Sequence, residues 1–156
     1  VGNNNSDKQL PRRAGRTQHK QLTKSAAPPE AIDHQQFRWS AAEVDHEYEG
    51  AWAWKLTAKD VADLLRLLEE MSKLTWREVK ALTAGSGRRS RALHHEQPVN
   101  SICAEAQRRL EELQVDVENV FRLRHGNLIR VWGYLAGPVF RILWYDREHK
   151  VCPSDK

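Results

Sequence analysis

Val120-Phe-Arg-Leu-Arg124, His125-Gly-Asn127, Leu128-Ile-Arg-Val-Trp-Gly-Tyr134, Leu135-Ala-Gly-Pro138 and Val139-Phe-Arg-Ile-Leu-Trp-Tyr145 follow one another without a break in this 156-residue chain. Three runs rich in β-branched and aromatic side chains are separated by two short segments built on glycine. Connections this short join antiparallel neighbours, so the stretch predicts a three-stranded antiparallel meander. A strand alternates its side chains between two faces. In the first run Phe121 and Leu123 share a buried face, which leaves Arg122 and Arg124 on the other. In the second, Leu128, Arg130, Trp132 and Tyr134 line up. In the third, alternation puts Phe140, Ile142 and Trp144 on one side and Val139, Arg141, Leu143 and Tyr145 on the other.

Upstream the period changes from two to that of a helix. Thr57-Ala-Lys-Asp60 fits a capping box with Asp at its third helical position, and Val61, Leu64, Leu65, Leu68 and Met71 recur behind it as a core stripe. Thr75-Trp-Arg-Glu78 is a second box, followed by Val79 and Leu82. A third helix is expected from Asn100 or Ser101 to Gln114, burying Ile102, Cys103, Ala106, Leu110 and Leu113. Residues 84–98, with Gly85, Gly87, three arginines, His94 and His95, are expected to form a polar loop, a hydrophilic connector between helices or, as the alternative, a loop that carries function. It lacks the Gly-Lys-Ser/Thr ending of a phosphate-binding loop. Trp52 and Trp54, alternating with alanine, predict a short strand at 51–55. The fold class is therefore α+β, with an N-terminal strand and three helices packed on the C-terminal meander. A single domain is expected over residues 32–156, preceded by a disordered basic tail over 1–31 that holds too few apolar residues to offset the entropy of ordering.

The net charge of +4 is unevenly placed. Residues 1–31 carry six basic and two acidic side chains, residues 32–119 carry 12 and 16, and residues 120–156 carry seven and three. An acidic helical half against a basic carboxyl half accounts for this by internal pairing; the functional alternative is a basic face offered to phosphate. Glu43, Asp45, Glu47 and Glu49 alternate around His46 and are expected to form a solvated loop. With His94 and His95 they are the weaker alternative of a metal site, although no zinc or calcium spacing follows them. No apolar run approaches the length of a membrane span. No amino-terminal stretch has the centre of a secretory signal, so a cytoplasmic location is expected. Cys103 and Cys152 alone make neither a disulfide framework nor a zinc site.

The meander concentrates the candidate chemistry. Arg122, Arg124, Arg130 and Arg141 supply positive charge, and Trp132 or Tyr145 could stack on a base, a mixture suited to RNA. Asp146 and His149, three residues apart, could pair so that the carboxylate orients an imidazole general base. These residues predict RNA binding and cleavage that needs no metal or cofactor. The alternative is a noncatalytic module that binds a protein partner through the meander or its edge.

Two resemblances follow from these residues. The run containing Arg130-Val-Trp-Gly-Tyr134 and Phe140-Arg-Ile-Leu-Trp-Tyr-Asp-Arg-Glu-His-Lys-Val151 resembles the end of an uncharacterised group of small bacterial proteins, which implies no activity. Over about residues 50–153, the order of strand, helices and arginine-rich meander resembles the RelE/ParE superfamily of small bacterial toxins. In that superfamily a strand and two helices precede a three-stranded antiparallel meander. RelE-like members cut messenger RNA on the ribosome with basic and aromatic or histidine side chains and no metal, whereas ParE-like members act on DNA gyrase. The resemblance implies Arg122 or Arg130 as the phosphate-binding arginine and Tyr145 or His149 as acid or base. It also implies a cognate antitoxin, and RNA or the ribosome as partner.

Overall fold

The computed structural model describes residues 29–153. The basic tail expected over 1–31 lies outside them except at its end, where Pro29–Ile32 makes one helical turn, α1. Next come strand β1 (Arg38–Ser40), helices α2 (Ala58–Ser72) and α3 (Trp76–Ala81), and the short strands β2 (Thr83–Ala84) and β3 (Arg91–Ala92). They are followed by β4 (His95–Pro98), α4 (Ala104–Glu112), β5 (Asn119–His125), β6 (Ile129–Ala136) and β7 (Val139–Asp146). β5, β6 and β7 form the antiparallel meander, and the sheet extends on both sides of it in the order β1-β7-β6-β5-β4. β1 joins parallel to β7 and β4 joins antiparallel to β5, while β2 and β3 pair separately. The fold is α+β, as the sequence predicts.

Both capping boxes form. Thr57 accepts from the Asp60 amide while Asp60 accepts from the Thr57 amide, and Thr75 and Glu78 repeat the exchange. Each box satisfies helix-terminal amides that have no partner within the helix. The helices then take opposite faces of the sheet. Leu64, Leu68 and Met71 of α2, with Trp76 and Val79 of α3, pack on Phe121, Leu123, Val131, Phe140, Ile142 and Tyr145. Ile102, Ala106 and Leu110, at and within α4, pack with Trp52 on Val120, Trp132, Leu143 and Trp144.

Four local expectations change. Residues 51–55 are a turn, because Trp52 and Trp54 serve different faces. Trp52 stacks on Tyr48 with ring centroids 4.8 Å apart in the α4 cluster, whereas Trp54 meets Tyr145 edge-on in the other. The N-terminal strand is instead Arg38–Ser40. On α2, Val61 and Leu65 are exposed, so the buried stripe is narrower than predicted. His95–Pro98, expected within a loop, forms the edge strand beside β5. Finally, β7 bulges: Trp132 faces Trp144 and Gly133 faces Ile142, which leaves Leu143 as the extra residue. A bulge reverses the alternation beyond it. Tyr145 therefore joins Phe140 and Ile142, and Trp144 moves to the α4 face, the reverse of strict period two. Gly133 permits this approach, because a Cβ there would lie 2.0 Å from the Arg141 carbonyl oxygen.

Candidate functional site

The face covered by α4 changes character along its strands. Val120, Arg122 and Arg124 share it by alternation on β5, as do Arg130, Trp132 and Tyr134 on β6. The apolar members lie under α4, and the arginines continue past them toward the β5–β6 turn. The register sets Arg124 directly opposite Arg130, and His95 of β4 directly opposite Arg122. The segment after β7 brings His149, Cys152 and Pro153 to the same place. Together these residues, with Arg91 and Gln97, enclose a cleft of about 360 Å³ whose lining contains four arginines, two histidines and no carboxylate.

The hydrogen-bond partners of these arginines are neutral, and the opposing charge that acts on Arg130 is the buried Asp146 carboxylate, opposite it in the register. Arg122 donates from Nε to His95 Nε2 at 3.2 Å, and Arg124 donates from Nε to the Gly126 carbonyl at 2.9 Å. Arg130 donates from Nη1 to the carbonyls of Asn127 and Ile129, at 3.2 and 3.0 Å. Among the described residues none of the three forms an ion pair. Arg122 Nη1 and Arg130 Nε are buried and have no protein partner, and Arg130 is only 7% exposed. An unsatisfied buried donor costs about 1–3 kcal/mol, and more when charged. Burial, followed by the fields of Arg122 and Arg124, brings the Arg130 guanidinium down to about 10, so it stays charged at neutral pH. Burial likewise lowers Arg122.

The histidines feel the same field. Burial first, then Arg122, lowers His95; burial first, then Arg130 and Arg122, lowers His149. Both are therefore predominantly neutral near pH 7 and able to accept a proton. His94 lies behind the cleft, 1% exposed, and its Nδ1 accepts the Arg124 amide at 3.0 Å. Burial and the neighbouring arginines bring it down to about 4. It is a structural histidine that fixes β5 to the segment before β4.

Of the residues singled out from the sequence, the cleft gathers Arg122, Arg124, Arg130 and His149. The others are elsewhere or otherwise engaged. No hydrogen bond links Asp146 to His149, although the Asp146 charge still acts on the imidazole against the field of the arginines. Asp146 is fully buried, and its carboxylate accepts the Lys150 amide at 2.8 Å, the Val151 amide at 2.9 Å and Trp132 Nε1 at 3.3 Å. It fixes the turn that carries His149, which sits in the left-handed region at φ 58°. Trp132 and Tyr145 are fully buried, so neither ring is available to stack on a base, and the bulge places Tyr145 on the opposite face of the sheet from the cleft. Arg141 bonds to Glu43, which also accepts from Tyr134, so it contributes no free charge.

The acidic stretch expected to be solvated is partly structural. Asp45 is 3% exposed and accepts Arg109 through Nε and Nη2, both at 2.7 Å, and Trp144 Nε1 at 3.0 Å. Burial pushes its carboxyl up, but the Arg109 and Trp144 hydrogen bonds outweigh this and leave it below its ordinary value. No group of three or more metal-ligating side chains occurs among the described residues, so the His94, His95 and acidic-loop combination does not assemble. His95, weighed from the sequence only within the alternative metal group, is a cleft residue that sequence reasoning did not assign to RNA. Its only signal was its place in an arginine-rich segment, since its role depends on β4 pairing with β5. Among the described residues no helix is long and apolar enough to cross a membrane. Comparison with protein-family models, curated proteins and solved structures finds no match to this chain.

Proposed function

We propose that this chain binds RNA by holding phosphate between Arg122, Arg124 and Arg130. The observation that carries this reading is the convergence of three guanidinium groups on one cleft with no carboxylate among them. Like charges placed together cost free energy in a folded sheet, and an anion would relieve that cost while meeting the unpartnered donors. Charge-assisted bonds from guanidinium to phosphate are short and strong. The order of strand, helices and meander keeps a RelE-like bacterial toxin, acting in the cytoplasm beside an antitoxin, as the wider frame of the proposal. Metal-free cleavage would fall to His149 and His95, the two imidazoles in the cleft, and no longer to an Asp146–His149 pair.

Labelled single-stranded RNA, titrated with the purified chain in a chelator, tests the reading. Binding should weaken as salt rises, and the logarithmic salt slope should fall by about one when Arg124→Gln removes a phosphate contact. Intact RNA binding in both Arg124→Gln and Arg130→Gln would move the interface away from this cleft. If RNA is cut by the parent chain, His149→Ala should abolish cutting while leaving binding in place. A protein-binding module is the second reading. It is favoured by the Arg141–Glu43 pair, which removes one of the four expected cations, and by Trp39, 38% exposed on edge strand β1.

A further inference from the structure

The arrangement of the cleft's cations bears on which phosphate it would hold. A groove that follows a nucleic-acid backbone presents cations in a row, one phosphate after another. Here they converge. Arg124 and Arg130 are direct cross-strand partners, so their Cβ atoms stand roughly 4.5–5.5 Å apart, and Arg122 lies two residues along the same face, roughly 7 Å away. Arg91 reaches the same cleft from β3. Four positive charges therefore address a volume of about 360 Å³, at the small end of ligand pockets and fit for one nucleotide-sized group rather than a strand. The walls include side chains of β4 and of the His149–Pro153 segment, which meet where Gln97 Nε2 approaches Cys152 Sγ at 3.2 Å. No Phe, Tyr or Trp side chain lines the cleft.

A bridging phosphodiester carries one negative charge and two free oxygens. A phosphomonoester carries about −1.5 to −2 near pH 7 and three strong acceptor oxygens. Arg122 Nη1 and Arg130 Nε are two buried donors without partners, one of them on a side chain that is more than nine-tenths buried. Arg124, whose Nε is held by the Gly126 carbonyl, lines the same cleft. This donor set matches a dianionic group with three acceptors better than a monoanion with two. We infer that the cleft reads a terminal phosphomonoester, at an RNA end or on a free nucleotide, independently of the base attached to it. The inference rests on the proposed phosphate site and specifies what that site prefers.

The test uses the full chain and one short RNA sequence in three forms: 5′-phosphate, 3′-phosphate, and hydroxyl at both ends. Each carries its dye at the end away from the phosphate, and binding is read by fluorescence anisotropy. At least one phosphorylated form should bind about tenfold or more tighter than the hydroxyl form, the factor expected from one or two added charge-assisted bonds. Changing the terminal base should not alter that ratio. A nucleoside monophosphate should compete, and the unphosphorylated nucleoside should not. Arg130→Gln should erase the preference. Because Arg130 is buried, Arg91→Gln at the exposed rim serves as a second variant and should reduce the preference several-fold with the melting temperature unchanged. Equal affinity for all three RNA forms sinks the end-reading inference while leaving RNA binding intact. Binding of the nucleoside monophosphate without binding of any RNA keeps the monoester site and removes the RNA reading. If neither RNA nor monophosphate binds, both ideas fall.

Discussion

Asp146→Ala separates the structural role of this carboxylate from the catalytic one that its spacing to His149 suggested. Two donors bonded to Asp146, the Val151 amide and Trp132 Nε1, belong to fully buried residues. Removing the acceptor strands both where water does not reach, at about 1–3 kcal/mol each, so the expected loss is about 2–6 kcal/mol. The third donor, on the half-exposed backbone of Lys150, can turn to solvent and adds little. Domains are stable by only about 5–15 kcal/mol, so the variant should be largely destabilised or partly unfolded at 25 °C. Asp146→Asn keeps one acceptor oxygen but turns an amide NH₂ toward a backbone donor, and it should lose a smaller part of the same amount. Urea unfolding followed by tryptophan fluorescence reads both variants against the parent. A carboxylate that only oriented His149 would leave the urea midpoint unchanged on substitution. That result would refute the reasoning and restore the pairing of Asp146 with His149.

Three further outcomes are expected. Gly133→Ala would place a methyl group 2.0 Å from a backbone oxygen, which no rotamer change can relieve; it should cost more than about 3 kcal/mol or prevent accumulation of folded protein in an expression and circular-dichroism trial. Asp45→Ala leaves Arg109 without its bidentate partner and Trp144 Nε1 without an acceptor, for a loss of about 3–5 kcal/mol by thermal or urea melting. His94, His95 and His149 all lie below their ordinary range in the folded chain, so the unfolded chain binds more protons in mild acid. Their stabilising contribution is complete above about pH 6.5 and is lost as pH falls through the folded values; for His94 that is near 4, a loss of about 3 kcal/mol. His94→Gln should flatten the fall in melting temperature between pH 6.5 and 4, and an unchanged slope would contradict this assignment.

The parts of this protein legible in its sequence are those decided locally. Thr57 with Asp60 and Thr75 with Glu78 announce their helices within four residues, and the glycine turns at Gly126 and Gly137 announce the meander. Arg122, Arg124 and Arg130 fall on one face by simple alternation. What stayed hidden depends on partners distant along the chain. β1 is three residues long and owes its existence to parallel pairing with β7, about a hundred residues away. β4, His95-Glu-Gln-Pro98, has no β-branched or aromatic run and ends in a proline, and it is a strand because β5 offers an edge. Asp146 looks like a partner for His149 by spacing alone; its actual bonds to Val151 and Trp132 depend on how the turn folds back. The bulge at Leu143 has a local sign in Gly133, but the sign lies on the neighbouring strand. Without it the period runs on and exchanges Trp144 with Tyr145.

The guanidinium cluster of the cleft also bears on how the protein is handled. If the cleft takes phosphate as proposed, multivalent oxyanions stabilise the folded chain and the melting temperature becomes a property of the buffer as well as of the chain. An anion at a hundred times its dissociation constant adds about 2.7 kcal/mol. Preparations in phosphate or sulfate would look robust while the cleft is already occupied, and weak binders would then go undetected. Dialysis into a chloride buffer of low ionic strength should lower the apparent stability and, by the same step, free the cleft for a genuine ligand.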